Sequence, residues 1–247
     1  MPSFNILFPV YNEEKRLERG ITKTLAFLKT YLPREDIRLT IVDNASVDHT
    51  EQIAQQLEKK YENVSYMRIP EKGVGAAFRA GAASGTADIV GYMDVDLSTD
   101  LRTLLIMRKI FVSCPSVMMV NASKQAKKAK TIGRSPLRNL TSKGLTLVMK
   151  AALGMKASDA ICGFKFFRRD FVKELIRQSD REENGWFFII ELLIRAERSG
   201  ARIVEVPVIY REAEGGHVNV LKQAADYAGN IYKLRRRLYV CKRGGRM

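Results

Sequence analysis

The chain has 247 residues, 46% of them hydrophobic, so it is long enough to bury a sizeable core in one domain. No apolar run approaches the roughly 20 residues that a membrane-spanning helix needs, and the first residues fit a strand rather than a signal peptide, so we expect a cytoplasmic protein. Cys114, Cys162 and Cys241 have neither CxxC spacing nor a nearby histidine cluster, which argues against a zinc site and a disulfide framework.

The formal net charge of +15 is unevenly distributed along the chain. Residues 1–100 carry 12 basic and 15 acidic side chains, whereas residues 101–158 carry 12 basic side chains and no Asp or Glu. Residues 159–247 add 18 basic and 12 acidic side chains. A basic second half is compatible with nucleic acid, phosphate-bearing substrates or an anionic membrane surface, so charge alone leaves all three open.

The first hundred residues predict the order β-α-β-α-β-α-β. Apolar runs predict strands at 4–10, 39–43, 64–69 and 87–93, separated by helical patterns over 13–31, 48–61 and 73–84. Such strands indicate a parallel sheet covered on both faces, which binds ligands at the carboxyl ends of its strands. Polar candidates follow these ends: Asn12 (also a helix N-cap candidate) with Glu13, Asp43, Lys72, and the pair Asp94 and Asp96.

The second half has a less regular pattern. We predict helices over 101–112, 136–153, 186–198 and 218–240, and strands at 117–122, 163–167 and 201–208. A basic loop connects the strand at 117–122 to the helix at 136–153. We find no internal repeat and no linker, so we expect a single α/β domain.

Asp94 and Asp96 lie one residue apart in GYMDVDLSTD, directly after an apolar strand. Carboxylates this close repel each other unless a cation joins them, and hard oxygen donors suit Mg²⁺ or Mn²⁺ bound to a diphosphate. Such a metal would neutralise a departing nucleoside diphosphate. The alternative is a solvated turn in which Asp96 or Ser98 caps the next helix.

Three further motifs accompany this pair: PVYNEE at 9–14, VDNASVDHT at 42–50 and KGVGAAFRAG at 72–81. Together the four motifs resemble the family 2 glycosyltransferases of the GT-A fold, in particular the branch of dolichol-phosphate mannose synthases and dolichyl-phosphate glucosyltransferases. SDAICGFKFFRRD at 158–170 and VPVIYREAEGGHVNV at 206–220 extend the resemblance. It implies a mostly parallel, Rossmann-like sheet flanked by helices, with a nucleotide-sugar half at 1–100, an acceptor half at 101–217 and a basic helix and tail at 218–247.

The resemblance implies a donor site at the strand ends, made of Pro9, Tyr11, Glu13, Asp43, Asp94, Val95, Lys124, Arg211 and His217. Asp94, Asp96 and Ser98 would hold Mg²⁺ or Mn²⁺, with Asp96 as the main ligand. Ser98 replaces a Gln of the mannose synthases. His217 replaces a Lys, which would make its contact with the diphosphate depend on pH near neutrality. On the residues alone, Asp43 simply ends a strand.

The implied catalytic residues are Asp96, Arg138, Ser142 and Glu191. Arg138 and Ser142 lie one helical turn apart and match an Arg and a Ser associated with a lipid phosphate. Asp159 and Glu191 are candidate bases for a hydroxyl acceptor, whereas a phosphate acceptor is already ionised and needs none. Ile189 replaces an Asp of the relatives, which weakens a catalytic role for Glu191 and favours the alternative, a polar anchor in a core helix.

These implications predict an inverting, metal-dependent hexosyltransferase that uses a UDP-glucose or GDP-mannose type of donor and a polyprenyl phosphate acceptor at the cytoplasmic membrane face. The basic segment 233–247 is compatible with an anionic membrane surface or with a solvated tail. The alternatives are a hydroxyl acceptor on a glycan, glycolipid or protein, a catalytically dead scaffold, and a nucleic-acid-binding protein, for which no recognition signature is present. The oligomeric state is open.

Overall fold

The computed structural model describes residues 1–212 and 220–240. Its strands are β1 (Phe4–Val10), β2 (Ile37–Asn44), β3 (Val64–Ile69), β4 (Ile89–Met93), β5 (Val117–Ser123), β6 (Lys130–Ile132), β7 (Phe164–Arg168), β8 (Arg202–Pro207) and β9 (Ile209–Arg211). Its helices are α1 (Leu17–Tyr31), α2 (Thr50–Lys60), α3 (Val74–Ser84), α4 (Arg102–Ser113), α5 (Pro136–Leu153), α6 (Arg169–Gln178), α7 (Trp186–Arg198) and α8 (Val220–Val240). Among these described helices, none is both long and apolar enough to cross a membrane.

Seven strands form one sheet in the order β3-β2-β1-β4-β7-β5-β8. Strands β1 to β4 pair in parallel, β5 and β8 pair in parallel, and β7 is antiparallel to both of its neighbours. The predicted mostly parallel α/β sheet is therefore confirmed. Because β1, β2 and β4 are parallel neighbours, their C-terminal ends meet at one edge of the sheet.

Both faces of the sheet are covered by helices, because the strands are buried at nearly every position rather than at alternate ones. On one face, Phe4, Ile6 and Phe8 of β1 pack with residues of α1, α2 and α4. On the other face, Leu7 packs in a cluster with residues of α3, α5, α6, α7 and α8. The two clusters hold the sheet between its helices, and the candidate site lies at one edge of this sheet.

Strands β1 and β3 and helices α5 and α7 begin and end at the predicted residues. Helix α5 has clear signals at both ends. Ser135 accepts a hydrogen bond from the Arg138 amide, Pro136 occupies the first turn, and Gly154 ends the helix with a φ of 71°. These signals place Arg138 in the first turn of α5.

The prediction that Asn12 caps the first helix is wrong. Helix α1 begins at Leu17, not at residue 13, and Asn12 has a φ of 54°. The Asn12 side-chain oxygen accepts a hydrogen bond of 2.9 Å from the Val47 amide, and its backbone amide donates to the Ser46 hydroxyl at 3.0 Å. Asn12 therefore joins the loop after β1 to the loop after β2.

The sequence pattern did not predict three elements, α6, β6 and β9. Helix α6 buries Val172 and Leu175, and this spacing of three residues is an amphipathic signal that predicts a helix. Strands β6 and β9 are three residues long and pair with each other in parallel, and every residue of β6 is exposed. The sequence shows no apolar strand pattern at either segment. The two segments come from distant parts of the chain and pair without burying one face. Strand β6 lies in the predicted basic loop.

Gly91 in β4 is packed too closely to accept a side chain. A Cβ atom there would lie 2.3 Å from ring carbons of Phe166 and 2.4 Å from the Lys165 carbonyl oxygen. We expect Gly91→Ala to lower the free energy of unfolding by about 1–3 kcal/mol, because a ring or a neighbouring strand must move within a packed core. Chemical denaturation followed by circular dichroism measures this change.

Gly229→Ala in α8 is the matched control, since nothing lies within 4 Å of the added methyl group. There we expect no loss of stability, and a gain of up to about 1 kcal/mol because alanine is the better helix former. Equal stability of Gly91→Ala and the native chain would contradict the packing described for β4.

Candidate active site

A cavity of about 580 Å³ opens at the C-terminal ends of β1, β2 and β4, and we call it the strand-end cleft. Tyr11 and Glu13 follow β1, while Asp94, Val95 and Asp96 follow β4. The order of the strands places these two segments side by side. Ligands of parallel sheets bind at this edge, so the cleft is the first candidate for a substrate site.

One wall of the strand-end cleft presents a ring and a cation. The Lys72 ammonium lies 4.4 Å from the centroid of the Tyr11 ring and 2.5 Å from its hydroxyl. The Gly73 amide donates a 3.0 Å hydrogen bond to the Asn44 side-chain oxygen, which ties the loop before α3 to the end of β2. The wall can therefore stack on a base and attract an anionic group.

The first two glycines of KGVGAAFRAG, Gly73 and Gly75, allow close packing against the segment before α7. A Cβ on Gly73 would lie 2.0 Å from the Asn184 carbonyl oxygen. The same oxygen accepts hydrogen bonds from the amides of Gly75 at 2.8 Å and Ala76 at 3.1 Å. Since these first-turn amides of α3 already have a partner, the motif is not arranged to bind a dinucleotide pyrophosphate.

Asp94 and Asp96 lie in a tight turn after β4. The Leu97 amide donates to the Asp94 carbonyl at 3.2 Å, Leu97 has a φ of 58°, and the Ser98 amide donates to an Asp96 carboxylate oxygen at 2.8 Å. Burial, followed by the charge of Asp96, raises the pKa of Asp94 to about 7. Positive charge added near Asp94 would favour its ionised form at neutral pH.

A divalent cation fits this pair of carboxylates. Within residues 1–212 and 220–240, no group of three or more His, Cys, Asp or Glu side chains forms a preassembled metal site. Mg²⁺ and Mn²⁺ at nucleotide sites need only one or two carboxylates, because phosphate oxygens and water complete the coordination. Ser98 is 3% exposed and does not line the cleft, so its amide orients Asp96 while Asp94 and Asp96 offer the oxygens.

Gly163 is the backbone support of Asp94. A Cβ atom on Gly163 would lie 1.8 Å from an Asp94 carboxylate oxygen, and the Asp94 amide donates to the Gly163 carbonyl at 3.3 Å. Only a residue without a side chain leaves room for the Asp94 carboxylate in its present position.

Two buried lysines lie behind the carboxylate pair. Lys165 is fully buried in β7, its ammonium donates to the Cys162 carbonyl at 2.7 Å, and burial lowers its pKa to about 8. The Lys124 ammonium lies 3.2 Å from Asp159, which is fully buried as well. Both lysines act to lower the pKa of Asp94, so they offset part of the repulsion. Asp159 is held as a counter-ion rather than as a free base.

A second cavity, of about 620 Å³, adjoins the strand-end cleft, and we call it the helix cavity because α5, α7 and α8 contribute to its lining. Its apolar end is lined by Leu145, Val148, Ile161, Tyr227 and Ile231. Both cavities are lined by Asp94, Arg138, Trp186, Tyr210 and Glu212. A cavity with one charged end and one apolar end suits an amphiphile with a charged head and a hydrocarbon tail.

Arg138 lies where the two cavities meet. Its guanidinium contacts the Glu212 carboxylate, and the Arg134 guanidinium lies 3.6 Å from the same carboxylate. The Tyr210 ring lies beside them, with the Lys124 ammonium 5.2 Å from its centroid. Two arginines around one carboxylate mark a place where this protein holds an anion, and guanidinium groups bind phosphate with the same geometry.

The structure brings most of the predicted site residues together. Seven of them line the strand-end cleft: Pro9, Tyr11, Glu13, Asp94, Val95, Asp96 and Arg138. Lys124 and Ser142 line the helix cavity with Arg138, and Ser142 accepts a 3.3 Å hydrogen bond from the Gln125 amide group.

Asp43 and Glu191 do not reach either cavity. Asp43 is fully buried, accepts hydrogen bonds from the Ser46 amide at 2.8 Å and the Tyr66 hydroxyl at 3.3 Å, and lies 3.7 Å from Arg68. Glu191 is 1% exposed and accepts two contacts of 2.7 Å from Arg195. Both carboxylates have internal partners, which matches the structural alternatives stated for them above.

Arg211 and His217 are the other two residues predicted to bind the diphosphate. Arg211 lies outside both cavities, and its guanidinium is 3.3 Å from Asp100. His217 lies outside the described residues. The proposed pH-dependent contact of His217 therefore stays a prediction.

Several lining residues were not predicted: Arg16, Asn44, Arg134, Trp186, Tyr210 and Glu212. Tyr210 and Glu212 follow β8 within VPVIYREAEGGHVNV, so the rule that ligands bind after strand ends was a signal for them. Trp186 is the single tryptophan of the chain and begins α7. Its place in the site follows from tertiary packing, in which its ring centroid lies 6.3 Å from that of Tyr92 in β4.

Comparisons with known proteins agree with this geometry. The family model Glycosyl transferase family 2 matches residues 5–176. The chain is 28% identical over 235 residues to a dolichyl-phosphate beta-glucosyltransferase of Trichomonas vaginalis. The aligned region covers 90% of this chain and 71% of that protein. It is 26% identical over 233 residues to a dolichol-phosphate mannosyltransferase of Pyrococcus furiosus, covering 93% and 63%. It is 26% identical over 232 residues to glycosyltransferase AglD of Haloferax volcanii, covering 93% and 36%.

Solved structures of similar fold include glucosyl-3-phosphoglycerate synthase from Mycobacterium tuberculosis in complex with UDP. The TM-score is 0.71 at 19% identity, over 95% of this chain and 80% of that chain. The same synthase with Mn²⁺, UDP and glucosyl-3-phosphoglycerate gives a TM-score of 0.68 at 18% identity, over 96% and 80%. The predicted GT-A fold, the resemblance to this branch and the enzyme class, a hexosyltransferase, are confirmed by these matches.

Gly163→Ala tests the support of Asp94. We expect the added methyl group to displace the carboxylate and to weaken Mn²⁺ binding, in the presence of a nucleoside diphosphate, by about 10- to 100-fold, as is usual when the support of a metal ligand is removed. Electron paramagnetic resonance of free Mn²⁺ measures the binding, and circular dichroism checks the fold. Gly229→Ala should bind as the native chain does, and unchanged binding in Gly163→Ala would contradict the role given to this glycine.

Proposed function

Because the chain belongs to glycosyl transferase family 2, we propose that it moves a hexose from a nucleotide sugar to a polyprenyl phosphate, with inversion at the anomeric carbon. The observation that carries this proposal is that the strand-end cleft and the helix cavity meet at Asp94 and Arg138. One cavity has carboxylates and an aromatic wall, which suit a nucleoside diphosphate with its cation. The other has a basic end and an apolar end, which suit a lipid phosphate.

The strand-end cleft binds the donor in this proposal. Tyr11 and Glu13 line the end that takes the base and ribose, while Asp94 and Asp96 hold Mg²⁺ or Mn²⁺. When bound there, the cation supplies positive charge for the diphosphate leaving group. The synthase of similar fold that was crystallised with Mn²⁺ and UDP supports this class of donor. UDP-glucose and GDP-mannose are the two donors to compare.

The helix cavity binds the acceptor. Arg138 and Arg134 hold the phosphate with Ser142 nearby, and the Glu212 carboxylate leaves the two arginines when the phosphate arrives. The hydrocarbon chain lies along the apolar end. The relatives named for dolichyl-phosphate and dolichol-phosphate transfer support an acceptor of this kind.

In the reaction, an acceptor phosphate oxygen attacks the anomeric carbon while the bond from that carbon to the donor diphosphate breaks. A phosphate is ionised at neutral pH, so catalysis rests on positioning and on charge at the leaving group rather than on proton removal. The state of the candidate bases supports this, because Asp159 is paired with Lys124 and Glu191 lies outside both cavities. A hydroxyl acceptor would need such a base.

Since its acceptor is a membrane lipid, we place the enzyme peripherally on the cytoplasmic face of a membrane. Residues 1–247 would act as one catalytic domain, because both cavities need elements from the two halves of the chain.

Arg138→Ala is expected to lower kcat/KM for a polyprenyl phosphate acceptor by about 10- to 100-fold, since a charge-assisted hydrogen bond contributes roughly 1.5–3 kcal/mol. The measurement is transfer of labelled hexose from UDP-glucose or GDP-mannose in detergent, with the corresponding polyprenol as a second acceptor. The native enzyme should form a glycosyl phosphate and leave the polyprenol unchanged.

Lys109→Ala, on the exposed surface of α4 and outside both cavities, is the matched control and should retain native turnover. Transfer to the polyprenol at a rate equal to that for the phosphate would contradict the proposed acceptor and favour a hydroxyl acceptor instead.

A further inference from the structure

Helix α5 carries an ordered row of exposed apolar residues. Leu137, Leu140 and Leu147 are 66%, 68% and 69% exposed, and Val148 is 49% exposed. At 3.6 residues per turn, these four positions fall within about 100° around the helix axis. We call them the α5 ridge. Apolar side chains that are clustered on a surface, rather than scattered singly, indicate a contact with another molecule.

The ridge cannot turn into the protein, because the opposite side of α5 is already packed. Met149 and Leu153 are 0% and 1% exposed in the core cluster next to α8, and Ser142 is 6% exposed. Gly144 lies within the ridge, and no atom would come within 4 Å of a side chain added there. The ridge is therefore exposed along its length, and at Gly144 and Val148 it borders the helix cavity.

Helix α8, whose last residues belong to the basic segment 233–247, packs several apolar side chains into the core. Leu234 and Ile231 are 1% and 8% exposed, and Leu238 packs against the same core cluster. Its exposed positions include the basic residues Arg235 and Arg236. Among the described side chains of α8, Tyr232 and Tyr239 are 69% and 48% exposed, so α8 keeps some aromatic surface, whereas α5 presents four exposed aliphatic side chains in one row.

We propose that the α5 ridge inserts into the interfacial layer of an anionic lipid bilayer. Lys143 and Lys150 are exposed and flank the ridge along one side, where their ammonium groups can reach lipid headgroups while the leucines enter the acyl region. Helix α5 itself contains basic but no acidic side chains, so its own charges attract rather than repel an anionic membrane.

The ridge is continuous with the helix cavity. Val148 belongs to the ridge and also lines that cavity, and Arg138 follows Leu137 directly at the charged end. With the ridge in the bilayer, the cavity opens at the level of the headgroups, where the phosphate of a membrane lipid can reach Arg138 without leaving the membrane. This step rests on the proposed polyprenyl phosphate acceptor, whereas membrane insertion itself is measurable without it.

The test compares Leu140→Gln/Leu147→Gln with Tyr31→Gln/Ile106→Gln, which removes two exposed apolar side chains from other helices. Co-sedimentation of the full chain with phosphatidylcholine vesicles, with and without phosphatidylglycerol, measures binding. We expect the native and control chains to bind the anionic vesicles. The ridge variant should bind these vesicles at least about tenfold more weakly. Lys143→Glu/Lys150→Glu should lose the preference for anionic vesicles.

Activity provides the second readout. The ridge variant should lose transfer to polyprenyl phosphate embedded in vesicles and keep transfer to a short, water-soluble prenyl phosphate. Equal vesicle binding by the ridge and control variants would overturn the proposal. The proposal would also be overturned if the native chain bound no vesicles and instead formed a dimer, seen by sedimentation velocity, that the ridge substitutions dissociate. Ridge-dependent vesicle binding with no transfer to either acceptor would support the ridge and reject the proposed function.

Discussion

Asp94 and Asp96 place two carboxylates at the end of one buried strand, and much of the surrounding structure offsets their repulsion. Lys165 is buried, the Lys124 side chain is 5% exposed, and both act to lower the pKa of Asp94, while Gly163 leaves the space that the Asp94 carboxylate occupies. The pKa of Asp94 nevertheless rises to about 7. Positive charge added at this pair would favour the ionised form of Asp94, and we propose that a divalent cation bound with the donor supplies it.

Arg138 joins this acidic site to a second region of opposite character. It lies at the boundary of both cavities and contacts Glu212, so an anion already occupies the position that we assign to the acceptor phosphate. In the proposed function, the donor and acceptor phosphates would lie on either side of one boundary, with the sugar between them. This arrangement explains why the acidic first half and the basic second half of the chain belong to one site.

Sequence reasoning was strongest where burial dictates the pattern. The apolar strands predicted the sheet, and the rule that ligands bind after strand ends placed Asp94, Asp96, Tyr11 and Glu13 in one cleft. It failed for Asp43, because position at a strand end does not say whether a side chain turns outward or, as here, toward Tyr66 and Arg68. Glu212 and the β6–β9 pair depend on contacts between distant segments, which periodicity does not encode.

The most direct measurement is titration calorimetry of UDP-glucose and GDP-mannose, with and without Mn²⁺, on the native chain and on Asp96→Asn. The asparagine keeps the shape of the aspartate and removes its charge. We expect one donor to bind the native chain only with Mn²⁺ and not to bind Asp96→Asn. Binding of a donor that is equally strong without Mn²⁺ and in Asp96→Asn would contradict the claim that these carboxylates hold a cation against a nucleoside diphosphate.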